Sequence, residues 1–151
     1  MKVDAETKLR DYLARDYRIY WLDEMMVTKT TYKKAEYMVK HKNVTIDQMT
    51  FNNTATAFVG CVALDLGLFH YNVFNDSVDS DKFVKFLSDL LVKNGNRKFV
   101  LYMDSLRVHK SKVTMKFMRD HNIEYIFAPY YSPDFNAIEY CFSPMKQLIR
   151  R

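Results

Sequence analysis

The sequence predicts an α/β fold, a mixed five-stranded sheet flanked by helices. Three observations carry this. After an opening helix, the apolar patterning runs strand, hairpin, helix, strand, helix, strand, helix, so an antiparallel start passes into strand–helix alternation. Residues 98–103 (KFVLYM) are a nearly all-apolar run, as expected of a central strand buried on both faces. Residues 54–66 (TATAFVGCVALDL) and 68–74 (LFHYNVF) are two strand-like runs that turn near Asp65-Leu66-Gly67, as in a hairpin.

Each element has its own reason. Residues 4–16 are expected to be helical, because Leu9, Tyr12 and Leu13 recur at helical spacing among charges. Residues 17–22 (YRIYWL) are an aromatic and β-branched strand, ended by Asp23-Glu24. Residues 25–53 are polar; within them 28–34 read as a loop and 37–46 as holding a short strand. Residues 79–92 form an amphipathic helix with Phe83, Phe86, Leu87, Leu90 and Leu91 on one face. The buried strand 98–103 stops at Asp104, residues 108–121 are helical, and 123–128 (IEYIFA) are a strand. Ser132-Pro133-Asp134 is turn chemistry, since proline presets φ and Asp bonds back to the local backbone. From Asn136 onward the chain is helical: Asn136 suits the N-cap, and Glu139 stands three residues on, at capping-box spacing.

Composition bounds the rest. The 151 residues are expected to form a single domain, residues 1–151, with a sizeable core. Hydrophobic residues make up 48% and aromatic residues 15%, which excludes a disordered chain. No apolar run approaches the roughly 20 residues of a membrane span. The charged start, MKVDAETKLRDYLARDY, excludes a secretory signal. Cys61 and Cys141 lie far apart without metal-ligand spacing, so they read as reduced thiols of an intracellular protein. A net charge of +5 is compatible with a polyanionic partner.

The acids fall at telling places. Asp23 is expected to end the first strand, Asp104 the buried strand, and Glu139 lies in the first turn of the last helix. Ligands of such sheets gather at the carboxyl ends of the parallel strands. If the strands bearing Asp23 and Asp104 are parallel neighbours, their carboxylates lie about one strand spacing apart, about 4.8 Å. Two negative charges that close repel unless a cation lies between them. Oxygen ligands select a hard divalent ion, Mg²⁺ or Mn²⁺. A third carboxylate completes a site for two ions, the arrangement used for in-line displacement at phosphorus. Any one acid alone reads as a turn residue or a cap; the set of three carries the chemistry. Asp47, after Val44-Thr45-Ile46, is a rival first acid. Asp23 is preferred because its strand follows the helix and precedes the hairpin.

These residues resemble the catalytic domain of mariner-type DDE transposases. The resemblance rests on Tyr20-Trp21-Leu22-Asp23-Glu24, on Leu101-Tyr102-Met103-Asp104 with His109 five residues on, and on Pro129-Tyr130-Tyr131-Ser132-Pro133-Asp134-Phe135-Asn136-Ala137-Ile138-Glu139. It covers about residues 8–150, and 34 residues separate Asp104 from Glu139. Ser105, Ala137 and Phe142 depart from the usual asparagine, proline and tryptophan, and Pro144 falls inside the expected last helix. The resemblance implies a ribonuclease H-like fold related to retroviral integrases. It implies that Asp23, Asp104 and Glu139 are catalytic and hold two Mg²⁺ or Mn²⁺ ions per active site. The implied reaction is hydrolytic nicking of DNA, followed by attack of a 3′-hydroxyl on target DNA. The alternative is a non-catalytic nucleic-acid-binding or assembly domain that keeps the fold.

Only 22 residues precede Asp23, so the helix-turn-helix modules usual in the family are expected to be absent. Either the chain is an excised catalytic domain, or DNA recognition is expected from a homo-oligomer or a partner chain. The expected location is intracellular, and the nucleus in a eukaryote. Arg107, His109, Lys110, Lys112, Tyr131 and Lys146 are the candidate nucleic-acid contacts, the cations through phosphates and Tyr131 by stacking on a base. His109 is also a candidate neighbour of the metal-site carboxylates.

Overall fold

Helix α1 spans Lys2–Ala14, followed by strand β1 (Arg18–Thr28) and the hairpin of β2 (Ala55–Ala63) and β3 (Gly67–Asn75). Helix α2 (Ser80–Asn94), strand β4 (Phe99–Met103), helix α3 (Lys112–Asp120) and strand β5 (Glu124–Phe127) complete the described elements. The computed structural model describes residues 2–28 and 55–129. The strands form a five-stranded sheet in the order β3-β2-β1-β4-β5. β1 and β2, and β2 and β3, are antiparallel; β1 and β4, and β4 and β5, are parallel. The sheet is therefore mixed, with the antiparallel start and parallel continuation that the sequence predicts.

The central strands are apolar on both sides because each side has a helical cover. Ile19, Trp21 and Met25 of β1 join Val100, Tyr102 and Ile126 in a core with Ala5 and Leu9 of α1. Tyr20 and Leu22 turn the other way, into a core with Leu101, Met103 and the α2 residues Phe83, Phe86, Leu87 and Leu90. At about 25 cal/mol per Å² of apolar surface removed from water, such residues supply the main drive to fold. Helix α2 starts where the carboxylate of Asp79 accepts the N–H of Lys82 at 2.8 Å. It ends at Gly95, whose φ of 66° suits a residue without Cβ.

Several boundaries differ from expectation. β1 runs to Thr28 instead of stopping at Leu22, so Asp23 lies within a strand and Thr28 belongs to it rather than to a loop. The reason is β2, whose pairing runs from Trp21↔Val62 to Thr28↔Ala55 and carries β1 past the point where its pairing with β4 stops. Helix α3 begins at Lys112 rather than at residue 108, because Ser111 is its N-cap, its hydroxyl accepting the Thr114 N–H at 3.2 Å. The hairpin turns at residues 64–66, and Gly67, at φ 69°, already opens β3. The loop expected over 28–34 beyond Thr28, the short strand expected over 37–46 and the last helix lie outside the described residues.

Candidate active site

The β1–β4 pairing fixes where two of the acids fall. Its last pair is Trp21↔Tyr102, and Asp23 and Asp104 each stand two residues further along these parallel neighbours. The adjacency supposed from sequence is thus a property of the sheet, although Asp23 is held inside β1 and only Asp104 follows a strand end. Strand alternation puts Asp23 on the same face as Trp21 and Met25, and Glu24 on the face of Leu22. Asp23 is partly buried, and its Oδ1 accepts the N–H of Glu24 at 2.8 Å.

Asp104 is held from beneath by His109. Residues 104–106 belong to neither helix nor strand, and 107–110 form a turn in which the N–H of His109 reaches the carbonyl of Leu106 at 3.0 Å. The turn is anchored beyond its end: Thr114 donates to the carbonyl of Val108 at 2.8 Å, and the Ser80 hydroxyl of α2 donates to Ser111 at 2.8 Å. This brings the imidazole of His109 into the core, 1% exposed, with its ring centroid 4.5 Å from that of Phe83. Nδ1 lies 3.0 Å from the Asp104 carbonyl oxygen and 3.1 Å from its Oδ1. Nε2 lies 2.9 Å from Oε1 of Glu24.

Both ring nitrogens therefore face acceptors, which suits the doubly protonated ring. Burial is the largest single influence and lowers the His109 pKa, but the hydrogen bonds to Asp104 and Glu24 together outweigh it and raise the pKa to about 9. Nδ1 points its N–H between the Asp104 carbonyl and Oδ1, so Oδ1 is held in an ion pair with the protonated ring. Oδ1 is buried against the ring, its ion-pair partner. The Asp104 side chain is nonetheless 47% exposed, which leaves its other oxygen open to a hard cation.

The other expected residues divide plainly. Arg107, Lys110 and Lys112 are exposed on the turn after Asp104 and at the start of α3, as phosphate contacts need. Lys110 lies over the ring of Phe127, 4.8 Å from its centroid. His109, expected as a nucleic-acid contact, is buried, with both ring nitrogens facing acceptors inside the protein. Its alternative reading, as a neighbour of the site carboxylates, agrees with the geometry. Glu139, Tyr131, Lys146, Cys141 and the rival Asp47 lie outside the described residues. Among the described residues, no group of three His, Cys, Asp or Glu side chains is gathered as a metal site. Sequence reasoning missed Glu24. The available signal was its place directly after Asp23, which in a strand must send the two side chains to opposite faces. Near Ser105, a cleft of about 320 Å³ opens between α1 and the end of β5, lined by Asp4, Lys8, Tyr125, Phe127 and Pro129 among others.

Solved structures share this fold. The Mos1 transposase catalytic domain, in a structure with raltegravir and magnesium, matches with a TM-score of 0.68 at 16% identity, covering 98% of this chain and 70% of that one. The Mos1 strand transfer complex matches with a TM-score of 0.66 at 16% identity, covering 98% of this chain and 46% of that one. A simian T-cell lymphotropic virus intasome chain, in complex with a PP2A regulatory subunit, matches at 0.59 with 10% identity, covering 85% of this chain and 37% of that one. At such identities the likeness establishes the fold, the ribonuclease H-like sheet of the Mos1 catalytic domain. No curated protein matches in sequence. The family model of the DDE superfamily endonucleases matches residues 18–151, which takes in Asp23, Asp104 and Glu139, and the chain belongs to that family.

Proposed function

We propose that this chain is a transposase-type DNA endonuclease and strand transferase, with Asp23, Asp104 and Glu139 as the ligand set for two Mg²⁺ or Mn²⁺ ions. The observation that carries the reading is the placement of Asp23 and Asp104 at equal offsets past the last β1–β4 pair. When bound, such ions polarise phosphoryl oxygens and lower the pKa of a bound water. The half-exposed carboxylate of Asp104 and the acidic, oxygen-only donor set fit them. Asp23, anchored in a strand paired with β2, fixes one side of the site; Asp104, braced by His109, fixes the other. Arg107, Lys110 and Lys112 hold the DNA backbone beside them through phosphate contacts, with Tyr131 and Lys146 as further contacts.

The Mos1 neighbours include paired-end and strand transfer complexes, which supports DNA as the partner and a paired assembly as the working form. In this reading residues 1–151 act as one catalytic domain. No helix among the described residues is long and apolar enough to cross a membrane. The working place is intracellular, the nucleus in a eukaryote.

The test is nicking of supercoiled plasmid by the purified chain with Mg²⁺ or Mn²⁺. Wild type is expected to nick, and Asp104→Asn to lose nicking while keeping its circular dichroism spectrum and cooperative melting. A folded Asp104→Asn variant that nicks at the wild-type rate sinks the assignment. A wild type that binds DNA but never nicks it favours an assembly domain.

A further inference from the structure

We infer that Glu24 and His109 are positioning residues for Asp104, so that one dipeptide, Asp23-Glu24, sets both aspartates of the site: Asp23 directly, and Asp104 through the imidazole. This rests on the proposed metal role of Asp104 and adds two residues to it. Asp104 has left the β4 ladder, so the sheet does not hold its carbonyl. Nδ1 of His109 takes over that task at 3.0 Å and sits 3.1 Å from Oδ1, which limits how the carboxylate can turn. The imidazole is itself fixed at its far side by Oε1 of Glu24 at 2.9 Å, and the turn that carries it is tied to α2 through Ser111 and Ser80. The path therefore runs from β1, through a buried ring, to the residue after β4.

Stability alone is a weak reason for such a group. A ring packed against Phe83 in a buried place is served as well by an apolar side chain, and buried ionic groups often cost as much as they return. Orientation of a ligand carboxylate is a better reason. Outer partners that fix the ligands of a metal typically govern its affinity by ten- to a hundredfold.

The experiment is Mn²⁺ titration of the 151-residue chain, followed by water-proton relaxation, so that no turnover is needed. Wild type is compared with Glu24→Gln, His109→Gln, the double variant and Asp104→Asn. Glu24→Gln and His109→Gln are each expected to weaken Mn²⁺ binding about tenfold. The double variant is expected to be no weaker than the weaker single one, because both act along one path. Wild-type affinity in both single variants, with Asp104→Asn losing the ion, overturns the positioning role and leaves the metal reading intact. So does a pair of losses that add fully in the double variant. Undiminished binding in Asp104→Asn overturns the metal reading and this inference with it. If His109→Gln does not fold, Glu24→Gln decides alone, since it keeps the size of the side chain while removing the charge that holds the protonated ring. A lower melting temperature in Glu24→Gln with unchanged Mn²⁺ affinity also counts against the proposal.

Discussion

Glu24 and His109, 85 residues apart in the chain, meet at 2.9 Å between Oε1 and Nε2. They join the middle of β1 to the turn after β4. The charge on the ring makes this contact responsive to pH.

The fold raises the His109 pKa to about 9, because its hydrogen bonds to Asp104 and Glu24 outweigh the opposing effect of burial. Free histidine titrates near about 6.5. A group whose pKa rises on folding stabilises fully below its unfolded pKa, and loses that contribution as pH climbs through its folded pKa. In the absence of divalent metal, the melting temperature is therefore expected to fall between about pH 6.5 and pH 9 by a few degrees. The charged groups facing the ring are Glu24 and Asp104, so Glu24→Gln should flatten this slope. A wild-type slope that survives unchanged in Glu24→Gln would show that other groups cause it.

Cys61 makes a prediction of the opposite kind. It is fully buried in β2, and burial pushes its thiol up to about 12, with a backbone hydrogen bond involving His70 pulling weakly the other way. The thiolate is the reactive form, so the folded chain should protect this residue. Iodoacetamide at pH 8 is expected to leave Cys61 unmodified in the native protein and to alkylate it in denaturant, as read by peptide mass. Rapid native alkylation contradicts the placement.

DNA binding should be governed by salt. Arg107, Lys110 and Lys112 are exposed together beside Asp104. If each neutralises a phosphate, the slope of log affinity against log salt carries about −0.9 from each. Replacing all three by alanine is expected to flatten that slope by roughly 3 and weaken binding to two unrelated duplexes alike. A strong preference for one duplex, or an unchanged slope, places the contacts elsewhere.

The start of α2 offers a test of the scaffold apart from the site. Asp79 caps the Lys82 N–H at 2.8 Å, and Asp79→Ala should cost about 1 kcal/mol, seen as roughly 3 °C in melting temperature. Unchanged melting would mean that the cap is replaced by water at no cost.

Sequence patterning revealed the element order because each strand is long and apolar enough to stand out, β4 most of all. It also placed Asp104 just after β4, since the apolar run stops there. It misjudged β1, because an acid pair resembles a strand terminus when the partner strand is unknown. Only the β2 pairing shows that the chain stays extended through Asp23 and Glu24. The same error hid Glu24, whose role depends on facing away from Asp23. His109 was visible as a motif residue, but its inward direction follows from the turn over residues 107–110, where a helix was expected.

The polar fastenings of β1 have a consequence for register. Ile19 and Trp21 are apolar on one face, Tyr20 and Leu22 on the other, and the acids that follow again serve both faces. A slip by one residue exchanges the faces of a strand, and here it would leave apolar side chains on both sides and a carboxylate on each. Hydrophobic pattern is thus silent on which acid meets which neighbour. Three side-chain bonds break the tie: Arg18 to Asp65 at 3.1 Å, Tyr20 to Asn94 at 2.7 Å, and Glu24 with His109 at 2.9 Å. They reach the hairpin turn, the end of α2 and the turn after β4, so a slipped strand would forfeit all three at once. The identity of the acid presented beside Asp104 is therefore guarded by side-chain bonds to three separate parts of the fold.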